Sequence, residues 1–306
     1  MQIVSASRRT DIPAFYSQWL MNRLRAGFAK VPNPFNPRQV STVMLRPEMV
    51  ACLMLVTKDP RPMIACLDEL DHRGYRYCFQ VTMTGLPRMF EPKVPGPGAI
   101  TPAMLHLARR LGADRVIWRF DPILLSPSVT QARIVSTFAT LAEKLAGSVT
   151  TVIVSFARNY RSAGRRLARA AADEPVHFLA GDATEKRALA EALAAVAVEK
   201  GMRIQSCAEP VDLTSYGIKP GSCIDVDLIR RLFDIELAPA KDRGQRTDCR
   251  CARSVDLGIY GTCSHGCLYC YASCDSRLTG GEMHDPTADS LLGMIGEPEE
   301  SQPFLL

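Results

Sequence analysis

A short segment near the C-terminal end of the chain carries three cysteines in the pattern CxxxCxxC. Its residues run Cys263-Ser264-His265-Gly266-Cys267-Leu268-Tyr269-Cys270, with an aromatic side chain directly before the last cysteine. Three thiolates on one tight loop can bind three irons of a 4Fe-4S cluster and leave the fourth iron without a protein ligand. The spacing therefore predicts a cluster at Cys263, Cys267 and Cys270 whose open iron can take a further ligand.

Two other interpretations of the same segment remain open at the level of sequence. Zinc is one, because the side chains of Cys263, His265, Cys267 and Cys270 can supply four tetrahedral ligands. Structural zinc sites usually pair two separated CxxC-like knuckles, however, and this segment is one continuous loop. A metal-free core role is the other alternative, and the regular spacing of three thiols argues against it.

Four further cysteines form a second candidate set. They are Cys207, Cys223, Cys249 and Cys251, of which the last two make a CxC pair. Four thiolates can close a second 4Fe-4S cluster completely, and such a cluster would relay electrons rather than bind a substrate. We expect a four-cysteine metal site here, with iron-sulfur favoured over zinc because of the neighbouring loop.

The loop at Cys263 to Cys270 resembles the cluster-binding loop of the radical S-adenosylmethionine (radical SAM) superfamily. Neighbouring residues Tyr260-Gly261-Thr262 and Cys270-Tyr271-Ala272 resemble its spore photoproduct lyase branch. The resemblance implies that Cys263, Cys267 and Cys270 bind a 4Fe-4S cluster whose free iron is chelated by SAM. It also implies that Tyr269 packs near the SAM adenine and that a flavodoxin or ferredoxin supplies electrons.

A longer resemblance extends over the whole chain, to the uncharacterised family called domain of unknown function 1848. The residues that carry it are Ser5 to Pro13, Asn33 to Pro37, Trp118 to Pro122, Ser206 to Glu209 and the cysteine-rich end. The family name supplies no substrate. It implies a radical-SAM-like cluster that follows the barrel strands in sequence, a permuted order relative to most superfamily members.

Other residues are candidates for contacts with SAM or substrate. Arg8, Arg9 and Arg119 can bind a carboxylate, because a guanidinium offers two parallel donors to such a group; structural ion pairs with Asp11 or Asp121 are the alternative. Further candidates are Glu209, as a hydrogen-bonding partner of a ribose or substrate, and Cys274, as a hydrogen-atom donor by resemblance to spore photoproduct lyase. The thiols of Cys52, Cys66 and Cys78 lie in apolar runs and are expected to be small core residues.

The elements that must position these residues follow an α/β pattern. Short apolar runs alternate with helical stretches over the first 207 residues, which predicts a parallel sheet covered by helices and a partial or complete (β/α) barrel. Polar residues follow the predicted strands, so we expect the site at their carboxyl ends. The predicted strands are Gln2 to Ala6, Gln39 to Leu45, Cys52 to Val56, Arg76 to Thr82, Arg115 to Arg119, Thr150 to Phe156 and Met202 to Ser206.

Other elements and the domain boundaries can also be predicted. One helix is expected from a cap at Asp11 to a stop near Gly27, and another from Thr184 to Lys200. The segment Gly85 to Pro102 is dense in proline and glycine and is predicted to be a long surface loop. We divide the chain into a barrel-like domain (1–239), a cysteine-rich iron-sulfur segment packed on it (240–292) and a tail (293–306).

Composition narrows the class of protein. The chain has 306 residues, of which 47% are hydrophobic and 23% charged, and it lacks an apolar run long enough for a membrane span. The first residues, Met1 to Arg9, lack the basic start followed by an apolar stretch that a secretory signal needs, which predicts a cytoplasmic protein. In that reducing compartment the cysteines, eight of eleven of which lie from Cys207 onward, favour metal ligation over disulfides. The net charge of +5 does not by itself indicate nucleic-acid binding.

These observations favour a radical SAM enzyme with an unknown substrate, which forms a 5'-deoxyadenosyl radical. Two alternatives stay open: a DNA or nucleotide lesion lyase resembling spore photoproduct lyase, and a non-enzymatic iron-sulfur electron carrier or sensor. Binding and cleavage of SAM separates the enzymes from the carrier.

Overall fold

The computed structural model describes residues 1–158, 160–170, 183–238, 240–242, 244–273 and 284–293. Within these ranges the strands are β1 (Gln2–Ala6), β2 (Phe28–Pro32), β3 (Val40–Met44), β4 (Val50–Thr57), β5 (Tyr77–Thr82), β6 (Val116–Ile123), β7 (Thr151–Phe156), β8 (Arg203–Cys207), β9 (Lys219–Gly221) and β10 (Val255–Asp256). The helices are α1 (Ile12–Phe15), α2 (Ser17–Ala26), α3 (Arg61–Ile64), α4 (Leu67–His72), α5 (Pro97–Leu111), α6 (Gln131–Leu145), α7 (Arg161–Ala170), α8 (Ala183–Glu199) and α9 (Val226–Phe233).

Eight of the strands form one parallel sheet in the order β10-β1-β4-β5-β6-β7-β8-β9. The molecule is therefore a mixed α/β fold, as the alternating pattern predicts. Since β10 and β9 lie at the two edges, the described strands do not close into a ring. The complete barrel, one of the two predicted forms, is wrong for these residues.

The central strands are hydrophobic on both faces because helices cover the sheet on either side. All six residues of β5 are buried, and so are seven of the eight residues of β4. Two apolar clusters fill the space between sheet and helices. This core holds the carboxyl ends of the strands in fixed positions.

Six of the seven predicted strands belong to the main sheet, and the seventh does not. Gln39 to Leu45 corresponds to β3, which pairs with β2 in a two-stranded antiparallel sheet. Much of this hairpin is exposed, so it does not need the two-sided burial of a central parallel strand. Strands β2, β9 and β10 were not predicted; β10 has only two residues and β9 contains a proline and a glycine.

The helix expected from Asp11 to Gly27 is divided into α1 and α2 at Tyr16. Tyr16 leaves the helical conformation, with φ −132°, and its hydroxyl donates to the Thr262 carbonyl at 2.6 Å. Asp11 caps α1 as predicted, because its Oδ1 accepts from the Ala14 amide at 3.0 Å. The break places the start of the chain against the residue before Cys263.

Two further predictions have mixed outcomes. The helix expected from Thr184 to Lys200 is confirmed as α8 within one residue at each end. The long loop expected from Gly85 to Pro102 ends earlier, because α5 begins at Pro97, a residue that fits a first helical turn. In the described part of the chain, no helix has both the length and the apolar character needed to span a membrane.

Candidate metal and cofactor site

The carboxyl ends of the parallel strands surround a cavity of about 250 Å³. In a parallel sheet these ends lie at one edge, so residues far apart in the sequence can share a wall. The prediction that polar residues after the strands meet at one face is confirmed. Ser7 to Asp11, Thr57, Lys58, Thr82, Arg119, Asp121, Ser155, Arg158 and Cys207 line this cavity.

The cysteine loop enters this cavity from the edge of the sheet. It follows β10, which pairs with β1 through Val4 opposite Val255 and Ser5 opposite Asp256. The Leu268 amide donates to the Phe90 carbonyl at 3.0 Å, which holds the loop against the segment before α5. Although the loop is close to the C-terminal end in sequence, it therefore lies beside the first strand.

All three loop thiols line the cavity, as the sequence predicts for a site on this edge. Burial raises the pKa of Cys267 to about 12, and burial together with Asp11 raises the pKa of Cys263. Without a metal these two groups are neutral thiols and poor nucleophiles. A metal replaces the proton and stabilises the thiolate, so the donor set and its burial fit an iron-sulfur cluster.

A buried polar network supports the loop at Tyr269. The Tyr269 hydroxyl donates to Glu91, and the Lys58 ammonium donates to the same carboxylate at 2.7 Å. Thr84 also donates to Glu91, at 3.0 Å. Burial works against the charge on Lys58, but Glu91 and Cys267 raise its pKa above the ordinary value, so the ammonium persists in the buried site.

The histidine of the loop has one ring nitrogen engaged. His265 Nε2 lies 2.8 Å from Asp11 Oδ2, which also accepts from the Lys58 amide at 2.7 Å. His265 Nδ1 is buried and makes no hydrogen bond within the described residues. A carboxylate on one nitrogen orients the ring for a ligand on the other, so the contact is compatible with the zinc alternative as well as with a supporting role beside a cluster.

The second cysteine set converges as predicted. Cys207 lies at the end of β8, Cys223 follows β9, and Cys249 and Cys251 precede β10. The Sγ atoms of Cys207 and Cys223 are 2.8 Å apart, within hydrogen-bonding distance for two thiols. All four are buried and line the same cavity as the loop thiols. Among the described residues, no group of three or more His, Cys, Asp or Glu side chains is placed so that it could hold a metal ion without movement.

Two thiols of this set differ electrostatically from the loop thiols. A hydrogen bond from Cys251 lowers the pKa of Cys249 to about 6, and hydrogen bonds from Cys207 and Cys223 lower the pKa of Cys251. Thiolate is the form that binds metals. The surroundings of Cys249 and Cys251 therefore favour the ligating form.

Arg119 was predicted to bind a carboxylate of SAM or substrate. In the structure its guanidinium donates hydrogen bonds to other groups of the protein. It is largely buried, lies in the cavity wall, and donates to Gln80 Oε1 at 2.9 Å, to Cys223 Sγ at 2.8 Å and to Asp121. The alternative, an ion pair with Asp121, is confirmed. This guanidinium faces the four-cysteine set.

Arg8 and Arg9 have different surroundings. Arg8 forms ion pairs with Asp256 and Asp242, not with Asp11 as one alternative proposed. Arg9 lies over the Tyr260 ring, 5.4 Å from its centroid, and makes no ion pair within the described residues. Of the three candidate arginines, Arg9 is therefore the one whose charge has no carboxylate partner among the described residues.

The remaining predicted residues lie outside the cavity wall or outside the described ranges. Glu209 forms a buried ion pair with Lys186 of α8 at 3.0 Å and is not part of the wall. Its contact with a ribose or substrate stays a prediction. Cys274 lies outside the described residues. Cys52 and Cys78 are buried core residues as predicted, whereas Cys66 is half-buried.

Sequence reasoning missed two carboxylates near the loop, Glu91 and Asp256. Glu91 lies in a segment that reads as a proline-rich loop, and Asp256 lies in a two-residue strand. The available signal was the placement of each beside an apolar residue in an otherwise polar stretch, and it is too weak to single them out. Their role depends on contacts between distant parts of the chain.

Comparison with known families agrees with the longer resemblance. A family model described as Domain of unknown function (DUF1848) matches residues 3–272. The matched range contains the main sheet and both cysteine sets. No curated protein matches the chain.

Proposed function

The chain belongs to the DUF1848 family, and we propose that it is a radical SAM enzyme. One observation carries the proposal: Cys263, Cys267 and Cys270 line a cavity formed by the carboxyl ends of the parallel strands. One buried thiol, Cys267, and two half-buried thiols, Cys263 and Cys270, next to a cavity with a polar wall provide a place for a cluster and space for a ligand on its open iron.

The position of the loop supports a permuted radical SAM architecture. β10 extends the sheet beyond β1, and the cysteine loop begins at the carboxyl end of β10. In the order of strands across the sheet, the loop thus follows the strand that lies before β1. In this proposal the open sheet is a partial (β/α) barrel, and its leading strand is supplied by the C-terminal part of the chain.

When bound, a reduced 4Fe-4S cluster would supply one electron for cleavage of the C5'–sulfur bond of SAM into methionine and a 5'-deoxyadenosyl radical. The residues of the chain hold and enclose these groups. Cys263, Cys267 and Cys270 bind the cluster, and the contact of Tyr269 with Glu91 fixes the loop from behind. Arg9 binds a carboxylate, that of SAM or of an anionic substrate, because its charge has no carboxylate partner in the described structure.

A nucleic-acid substrate, as for a lesion lyase, is favoured by a feature of the cavity wall. The rings of Tyr160 and Tyr271 lie 5.5 Å apart, Tyr271 is 46% exposed, and Arg246 donates to the Tyr160 hydroxyl. Exposed aromatic rings beside arginines suit stacked bases and phosphates. Single-stranded DNA tests this version. If it neither binds at low salt nor changes the rate of SAM cleavage, the lesion lyase is ruled out and the radical SAM proposal is unaffected.

The proposal is tested by anaerobic reconstitution of the full chain with iron and sulfide. We expect the reduced protein to show the electron paramagnetic resonance signal of a 4Fe-4S cluster, and we expect SAM to change that signal because it binds the open iron. The variant Cys267→Ala should lose the signal, whereas Cys66→Ser, a half-buried thiol outside the cavity, should keep it. A cluster signal that SAM leaves unchanged would favour the electron carrier or sensor.

A further inference from the structure

The four-cysteine set has the dimensions of a site for one metal ion. Thiolates around zinc, with Zn–S bonds of about 2.3 Å, lie about 3.8 Å apart in a tetrahedron. The Sγ atoms of Cys207 and Cys223 are 2.8 Å apart, and all four thiols are buried in the wall of one cavity. An outward movement of about 1 Å converts this packing into a tetrahedron. A 4Fe-4S cluster places several iron and sulfide atoms between its thiolates, so it requires a much wider separation.

Arg119 supplies a second, independent observation. Four thiolates and one divalent ion carry a net charge of −2, which is costly to bury without nearby cations. The buried Arg119 guanidinium donates to Cys223 Sγ at 2.8 Å. A donor to a ligating sulfur is the kind of contact that stabilises a thiolate–metal site. This contact gives a reason for a largely buried arginine at this position.

We infer that Cys207, Cys223, Cys249 and Cys251 bind one tetrahedral metal ion, zinc by the chemistry of its ligands, and not a second 4Fe-4S cluster. The site joins the ends of β8 and β9 to the segment before β10. It thereby fastens the part of the chain that carries the cysteine loop to the sheet. The inference is independent of the proposed radical SAM activity, because it concerns other ligands and requires no SAM.

The experiment uses the full chain with the loop ligands removed, as the variant Cys263→Ala/Cys267→Ala/Cys270→Ala. We expect this protein to contain one zinc per chain and no iron, by mass spectrometric metal analysis. Cobalt should replace the zinc and give the visible spectrum of tetrahedral thiolate ligation. Adding Cys249→Ser should weaken zinc binding by more than about tenfold, whereas adding Cys66→Ser should leave it unchanged.

Three results would overturn the inference. About four irons and four sulfides per chain in the triple variant would identify a cluster. Absence of any bound metal, or a Cys207–Cys223 disulfide in place of metal, would show that no such site forms. If the triple variant fails to fold, X-ray absorption at the zinc edge of the wild-type protein decides the matter, with four sulfurs at about 2.3 Å expected and absent or non-sulfur zinc contradicting the inference. Loss of SAM chemistry leaves these outcomes unaffected.

Discussion

At the scale of single residues, the support of the cysteine loop depends on charges that solvent scarcely reaches. The Lys58–Glu91 pair and the Asp11–His265 contact both lie directly behind the loop. A buried ion pair contributes little relative to apolar residues, but removal of one partner leaves the other charge unpaired. These residues are therefore expected to be sensitive to single substitutions.

The variant Lys58→Met should destabilise the protein strongly. Glu91 would keep its contacts with Thr84 and Tyr269 but lose its cation, so we expect a decrease of about 3 kcal/mol in the free energy of unfolding. Urea unfolding followed by circular dichroism measures it. The matched control is Arg61→Met, because Arg61 forms an exposed pair with Asp59 and should change stability by less than about 1 kcal/mol. Equal effects of the two variants would contradict the assigned role of the buried pair.

A second residue-scale prediction concerns Arg9. If its guanidinium binds a ligand carboxylate, Arg9→Gln should raise the concentration of SAM or of anionic substrate needed for half-maximal turnover by about tenfold or more. Iron content should stay the same, since Arg9 is not a cluster ligand. Steady-state kinetics with Arg109→Gln as an exposed control tests this. Unchanged concentration dependence for both ligands would remove Arg9 from the site.

At the scale of elements, the short strand β10 is fixed by one carboxylate. Asp256 accepts from the Ser7 hydroxyl at 2.6 Å, from the Arg8 amide at 2.8 Å and from the Gly258 amide at 2.9 Å. Gly258 is required here, because a Cβ atom would lie 1.9 Å from Ser7 Oγ. Two residues of pairing alone would not position a cluster loop; the carboxylate joins the loop to the residues after β1.

Asp256→Asn should therefore loosen the loop. The amide group can face only some of these donors as an acceptor, so we expect about 2 kcal/mol lower stability and faster loss of iron to a chelator. Asp285→Asn is the control, since this exposed carboxylate accepts only from Thr287 nearby in sequence. Iron release as slow as in the wild-type protein would contradict the role of Asp256.

Another element-scale contact joins α2 to β3. The Tyr75 hydroxyl lies 3.1 Å from the Leu24 carbonyl and 2.6 Å from the Leu45 carbonyl. Burial raises the pKa of Tyr75 to about 12, from an unfolded value near 10. The folded state thus holds this proton more tightly, and its contribution is complete below about pH 10 and lost as the pH rises to about 12.

Tyr75→Phe should lower stability by about 1 to 2 kcal/mol at neutral pH, because the hydroxyl that donates to the Leu45 carbonyl, with the Leu24 carbonyl also in range, is lost. It should also reduce the slope of stability against pH between about 10 and 12. Denaturant unfolding at a series of pH values measures both effects, with Tyr216→Phe as the matched loss of a phenol hydroxyl. An unchanged alkaline slope would assign the pH dependence to other groups.

At the scale of the whole molecule, the sequence predicts the sheet well and its arrangement less well. Alternating apolar runs identify the six strands β1, β4, β5, β6, β7 and β8 that form the centre of the sheet, because most of their residues are buried. The same patterns cannot place β10, since two residues carry no periodicity and their position depends on Asp256. Seven cysteines from the C-terminal part of the chain line the cavity, and only some of this arrangement could be predicted. The spacing in the sequence identifies the loop, whereas Cys207, Cys223 and the CxC pair come together only when the chain folds.

The central claim is that the open cluster cleaves SAM, and the most direct test is the formation of 5'-deoxyadenosine. The anaerobically reconstituted protein, reduced chemically or by flavodoxin or ferredoxin, is incubated with SAM and analysed by liquid chromatography. We predict 5'-deoxyadenosine from the wild-type protein and from Cys66→Ser, and none from Cys263→Ala, Cys267→Ala or Cys270→Ala. A wild-type protein that carries a complete, reduced 4Fe-4S cluster and still forms no 5'-deoxyadenosine would contradict the account.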